Sequence, residues 1–130
     1  MAAFILCRET NPHLQDSIES CLGSQHICQL FILEVNADSN SLDIISENKK
    51  NDNRLMHISD DISLINALLK SRKLLSAELT ILLTSSDVLE STAINNAINC
   101  FNIDDQLIFT FSDADYLDNY KNFINSYPTL

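Results

Sequence analysis

A single glycine, Gly23, occurs in the 130 residues, and tryptophan is absent. One glycine cannot build the G-x-G-x-x-G dinucleotide fingerprint or a phosphate-cradling P-loop, since both need several backbone positions that only glycine tolerates. Basic residues are scarce as well: 8 Lys and Arg stand against 18 Asp and Glu, a formal net charge of −10. That balance excludes sequence-independent nucleic-acid binding, which depends on cations neutralising phosphates. A phosphate-bearing ligand of so acidic a chain needs a local device: a helix N-terminus, a bound cation or a few placed basic groups. No apolar run approaches the ~20 residues of a membrane span. Ala2 to Cys7 is too short and wrongly flanked for a signal peptide, so a cytoplasmic protein without a transmembrane segment is expected.

Cys7, Cys21, Cys28 and Cys100 lie in or beside apolar segments without C-x-x-C spacing, and read as reduced core residues rather than a disulfide or zinc framework. His13, His26 and His57 are scattered, and none accompanies a Ser or Cys in a nucleophile motif. With 45% hydrophobic residues, the chain has the material for one core of ordinary size, and a single domain over residues 1–130 is expected.

The pattern alternates between strand and helix. Ala2 to Cys7, Cys28 to Val35, Arg54 to Ile58, Leu79 to Leu83 and Gln106 to Phe111 are apolar runs of strand length. Between them fall helical faces. Leu14, Ile18, Cys21 and Leu22 follow a cap at Asn11 with Pro12 in the first position, and Gly23 closes that helix at a place suited to left-handed geometry. Ser41 to Lys49 turns Leu42, Ile44 and Ile45 inward; Ile62 to Leu75 does so with Leu64, Ile65, Leu68 and Leu69, behind Ser59-Asp60-Asp61 as a cap. A fourth helix from Val88 carries Leu89, Ala93, Ile94, Ala97, Ile98 and Phe101, and a last one is expected from Tyr116 to Tyr127, before Pro128. The order implies an α/β protein: a three-layer α/β/α domain with a mostly parallel five-stranded sheet and right-handed crossovers.

In such a sheet the strand ends share one rim, and a ligand lies there, beside the first strand where the order reverses. The rim collects Arg8, Glu9 and Thr10, then Glu34 to Asp38 with Asn36 among them, then His57 to Asp61, then Thr84, Ser85, Ser86 and Asp87, then Ser112 to Asp115 with Asp113 among them. Glu34 and Asp38 suit a ribose or a cation. Asp87, three residues before Glu90, also fits a helix cap. Asp113, Asp115 and Asp118 are equally readable as a cap and a solvated helix face.

Several stretches resemble one family. Asn11 to Leu22, NPHLQDSIESCL, resembles the N-x-x-L-x-x-S-I-x-S-x-L helix after the first strand of family-2 glycosyltransferases with the GT-A fold. Leu30 to Ile45, LFILEVNADSNSLDII, is similar to that family's second strand and VDDGSTDGTLEII turn. Ser76 to Leu89, SAELTILLTSSDVL, resembles its TGEYIAFLDADDVL segment, and Leu107 to Asp118, LIFTFSDADYLD, its later VYSDxDxxD strand end.

The resemblance implies a Rossmann-like, nucleotide-diphospho-sugar transferase type of fold. In a working member a divalent cation on the D-x-D holds the donor diphosphate and a later carboxylate deprotonates the acceptor. Carried onto this chain, the uridine-binding aspartate falls on Glu34 and its neighbour on Val35. The D-x-D falls on Thr84-Ser85-Ser86, which leaves Asp87 as the acid for Mn²⁺ or Mg²⁺. Thr10, Glu34, Asn36 and Asp38 are the implied nucleotide contacts and Asp113 the implied local acid. The acceptor-binding half of the family is expected to be absent. The function implied is a glycosyltransferase-like domain that binds a nucleotide-sugar donor, with transfer activity reduced or absent in this chain alone. The second expectation is a non-catalytic interaction module of the flavodoxin or receiver type, acting on a protein partner or as a homodimer; a receiver, however, would carry paired acids after its first strand, where this chain has Cys7-Arg8-Glu9.

Overall fold

The computed structural model of the protein describes residues 1–110, 114–117 and 121–127, in two compact units, Met1–Ile94 and Asn95–Leu130. The first unit contains four strands, β1 (Ala2–Arg8), β2 (Gln29–Val35), β3 (Leu55–Ser59) and β4 (Thr80–Thr84). They form one parallel sheet in the order β3-β2-β1-β4. Three helices connect them: α1 (Leu14–Leu22), α2 (Ser39–Asn51) and α3 (Leu64–Ser71). The chain steps outward from β1 through β2 to β3 and then crosses back to place β4 on β1's other side, so the order reverses between β1 and β4.

The sheet separates two apolar layers. Ala2, Phe4, Phe31 and Leu33 meet Ala67 of α3, and Leu64, Met56 and Ile58 close around them. Phe4 and Phe31 stack with ring centroids 4.8 Å apart. The alternate residues Ile5, Cys7, Leu30 and Ile32 are fully buried, as are Leu14, Ile18, Cys21 and Ile45 of α1 and α2. Asn48 of α2 donates to Gln15 of α1 at 2.7 Å and ties those two helices together. β1 and β2 are buried on both faces, which is why their sequences run continuously apolar instead of alternating.

Below the sheet, away from the rim, Arg54 joins three segments. Its guanidinium donates to the Leu22, Ser24 and Ile27 carbonyls at 2.8 to 3.1 Å and pairs with Asp52 at 2.7 Å. Gly23 is right-handed (φ −65°), not left-handed, and its role is one of space. A Cβ there would meet the Glu19 carbonyl at 3.2 Å, against the turn that ends α1.

Two other expectations about helices need correction. α1 starts at Leu14 behind His13, because the Asn11 side chain is engaged elsewhere. Leu42 of α2 is exposed, and on α3 the inward face is Leu64, Ala67 and Ser71, while Ile65, Leu68 and Leu69 are exposed. The helix is short and touches β2 and β3 along one narrow stripe, so the flanking apolar residues have nothing to cover.

The second unit departs further from the periodicity. α4 (Ala93–Ile103) begins five residues later than the Val88 start expected, because Glu90 organises a turn ahead of it. Residues 106–110 join no strand, and Phe111 lies outside the described residues, so the sheet of the first unit has four strands among the described residues and not five. The helix expected over Tyr116 to Tyr127 is instead an antiparallel pair, β5 (Ala114–Leu117) and β6 (Phe123–Tyr127). Phe, Ile and Tyr favour extended backbone, and the Asn, Asp and Ser around them compete with helical hydrogen bonds, so propensity outweighs a 3.6-residue pattern here.

Candidate functional site

The rim at the C-terminal ends of the strands is built around Asn11. This side chain is 7% exposed; its amide nitrogen donates to Cys7 Sγ at 3.2 Å and the Glu9 carbonyl at 3.0 Å, and approaches Ser41 Oγ at 3.5 Å. Its oxygen accepts from the buried Ser85 hydroxyl. Ser85 N–H donates to the Leu6 carbonyl at 3.0 Å, and Ser17 Oγ to the Thr84 carbonyl at 3.4 Å. The crevice between β1 and β4, where a ligand was expected, is thus closed by the protein's own hydrogen bonds.

The opening lies one strand over. A cleft of about 170 Å³ at the ends of β1 and β2 is lined by Arg8, Glu9, Val35, Asn36 and Ile62. Glu9 (φ 49°) and Asn36 (φ 53°) both hold left-handed backbone, which turns the chain sharply as it leaves each strand. The Asp38 amide donates to the Glu9 carbonyl at 3.0 Å and locks the two turns against each other.

Of the nucleotide contacts expected from sequence, Asn36 alone lines this cleft. Glu34 is buried: Oε1 accepts from the Ala37 amide at 2.7 Å, and Oε2 lies 3.3 Å from His57 Nε2. Its carboxylate therefore shapes the loop after β2. Asp38 caps α2 through the Ser41 amide at 2.8 Å. Hydrogen bonds from Ser41, and secondarily one from Thr10, hold the Asp38 carboxyl below its ordinary range. Cys7 is pushed up to about 11 by burial, with the Glu34 and Asp38 charges adding to the effect, so it is a neutral thiol packed under the rim.

Asp87 sits in a different arrangement from either one foreseen. Its Oδ2 accepts from the Thr84 amide at 2.7 Å and the Thr84 hydroxyl at 2.9 Å, while Thr84 Oγ1 lies 3.2 Å from Ser86 Oγ. It stoppers the end of the edge strand β4 and does not cap the helix; the carboxylate before α4 is Glu90, which takes the Thr92 amide at 2.8 Å. Among the described residues no three His, Cys, Asp or Glu side chains gather closely enough to hold a metal ion. Asp113, the local acid expected, lies outside the described residues.

Asp60 was read only as one of three capping residues, yet it organises a whole corner. It accepts from the Ile62 and Ser63 amides at 2.9 and 3.0 Å and pairs with Lys70 at 2.7 Å. The Lys70 hydrogen bond, then the two amides, hold its carboxyl well below the usual range. Sequence reasoning placed Arg8 on the rim without giving it a role, and read Asn11 only as a helix cap. The signal for a role was available, since an arginine closing a buried strand in so acidic a chain is out of pattern.

No helix among the described residues is long and apolar enough to cross a membrane. Comparison with known protein families and with curated proteins finds no family model and no curated sequence that matches the chain.

Proposed function

We propose that this chain is a GT-A-like, nucleotide-sugar-binding domain whose own transfer activity is reduced or absent. The observation that carries the reading is the strand order β3-β2-β1-β4 with an open cleft at the strand ends. That order runs as the first four strands of a Rossmann-type sheet do, and differs from the 2-1-3-4-5 order of flavodoxin-like and receiver domains. The sequence resemblance aligns Glu34 with the family's uridine-binding aspartate; its carboxylate is taken up by the Ala37 amide, and of the residues on the same turns Asn36 is the one that lines the cleft. Transfer is weak or missing because the family's D-x-D falls on hydroxyls, leaving Asp87 as the one carboxylate there for Mn²⁺ or Mg²⁺.

Titrating UDP and UDP-sugars against the protein, with and without Mn²⁺, tests this by thermal shift. Ligand that binds the folded state raises the melting temperature by mass action. A rise with UDP supports donor binding, and a further rise with Mn²⁺ supports Asp87 as a cation ligand. No response at ~millimolar ligand, where a Kd as weak as 1 mM still registers, would sink nucleotide binding.

A second reading rests on a separate observation. Ile62, Ile65, Leu69 and Leu82 are each more than half exposed (56 to 79%), all in the first unit. Leu82 is paired with Phe4 and so faces the α3 side of the sheet, where nothing in its own unit covers it. Large apolar side chains left exposed in this number suit contact with another protein. On this reading the chain is an interaction module, and a concentration-dependent mass that Leu82→Lys abolishes would support it; a constant monomer mass would count against self-association.

A further inference from the structure

We infer that Arg8 is the phosphate-binding group of the rim cleft. The inference deepens the nucleotide-binding reading above by naming which part of such a ligand the cleft takes. A chain with a net charge of −10 can hold phosphate only through a local source of positive potential. Helix N-termini are the usual one, but here each already has an acid of its own. Asp38 caps α2, Asp60 takes the amides leading into α3, Glu90 does the same ahead of α4, and Asp16 lies in the first turn of α1. A phosphate arriving at any of them would meet negative charge.

Arg8 is different. It ends β1 on the cleft wall, paired across the sheet with Val35 of β2, and its side chain is exposed. Unlike Arg54 and Lys70, which are committed to Asp52 and Asp60, it forms no ion pair or side-chain hydrogen bond with any described residue. A planar guanidinium presents paired N–H donors that match two oxygens of one phosphate. The cleft has the right scale for that part alone. At about 170 Å³ it falls short of the ~300 Å³ at which sites for whole small molecules begin. Val35 and Ile62 are the apolar residues of a lining that is otherwise polar.

The test compares inorganic pyrophosphate, UDP and uridine by calorimetry in EDTA, on the wild-type chain, Arg8→Gln and Arg8→Lys. Arg8 forms no ion pair or side-chain hydrogen bond with any described residue, so the variants are expected to keep the wild-type melting temperature, which is checked first. Pyrophosphate and UDP should bind the wild type, at least tenfold more weakly to Arg8→Gln, and at an intermediate level to Arg8→Lys; any uridine affinity should be the same in all three. Equal pyrophosphate affinity for wild type and Arg8→Gln overturns the inference. Uridine and UDP binding alike, with no affinity for pyrophosphate, overturns it and leaves the nucleotide reading standing. Arg8-dependent pyrophosphate binding that the nucleoside does nothing to strengthen upholds the inference and removes the nucleotide. No binding of any of the three overturns both.

Discussion

Glu9 and Asn36 occupy the same left-handed backbone region at the ends of adjacent strands, yet they differ in what that costs. Asparagine tolerates the region through local side-chain hydrogen bonding, while a glutamate there carries about 1–2 kcal/mol of steric strain. Glycine relieves the strain but loses about 0.5–1 kcal/mol to chain entropy. Glu9→Gly is therefore expected to stabilise the protein by about 0.5–1 kcal/mol, and Asn36→Gly by a few tenths at most, in urea unfolding. A destabilised Glu9→Gly would show that the Glu9 side chain supports the rim. The cysteines offer a second residue-scale prediction. Cys7 and Cys21 are fully buried with thiols pushed up to about 11, chiefly by burial, whereas Cys28 and Cys100 are exposed. A maleimide reagent at neutral pH should add to Cys28 and Cys100 in the folded protein and reach the other two only in denaturant, as read by mass spectrometry.

At the scale of elements, the two ends of the sheet are held differently. Below it, Arg54 draws the end of α1 and the approach to β2 onto the start of β3 with a fork of donors aimed at three carbonyls. Lysine has the charge but not the fork, so Arg54→Lys should cost about 2 kcal/mol in denaturant unfolding, on the scale of one lost charged hydrogen bond. At the rim, the start of α3 depends on an ionised Asp60. Its carboxyl is depressed in the folded state, so its contribution is fully present above the unfolded value near pH 4 and is lost as pH falls toward the folded value. The urea midpoint should therefore drop steeply below about pH 4 in the wild type and less steeply in Asp60→Asn, which has no such proton to take up. Parallel acid limbs in the two proteins would assign the loss to the other depressed carboxyls, Asp38, Asp52 and Glu90.

Over the whole molecule the surplus of carboxylates sets the behaviour. Self-repulsion at a net charge of −10 opposes compactness, and salt screens it as the Debye length falls from about 30 Å at 0.01 M to about 8 Å at 0.15 M. The melting temperature should rise over that range, and a fall would mean that attractive pairs such as Lys70–Asp60 outweigh the net repulsion. The same field discourages anionic ligands, so a cation on a cleft wall, as Arg8 is, counts for more than it would on a balanced surface.

Sequence alone determined the α/β class, the first four strands to within a residue or two and the buried faces of β1, β2 and α1. Those segments are long or strongly apolar, so local pattern and final burial agree. It also singled out the turns after β1, β2 and β4 as the polar rim. Only the tertiary structure decided what each rim residue does, because those roles depend on contacts between residues far apart in the chain. Asn11 spans 74 positions to meet Ser85, Glu34 reaches 23 to His57, and Arg54 reaches 32 to Leu22. The last third of the chain failed for a related reason. With few large apolar contacts to enforce a helix over Tyr116 to Tyr127, local β-propensity prevailed and a strand pair formed. The acids that looked most like ligands, Glu34, Asp38 and Asp87, turned out to hold their own backbone amides, since an amide at the end of a strand or the start of a helix needs an acceptor whether or not a ligand ever comes.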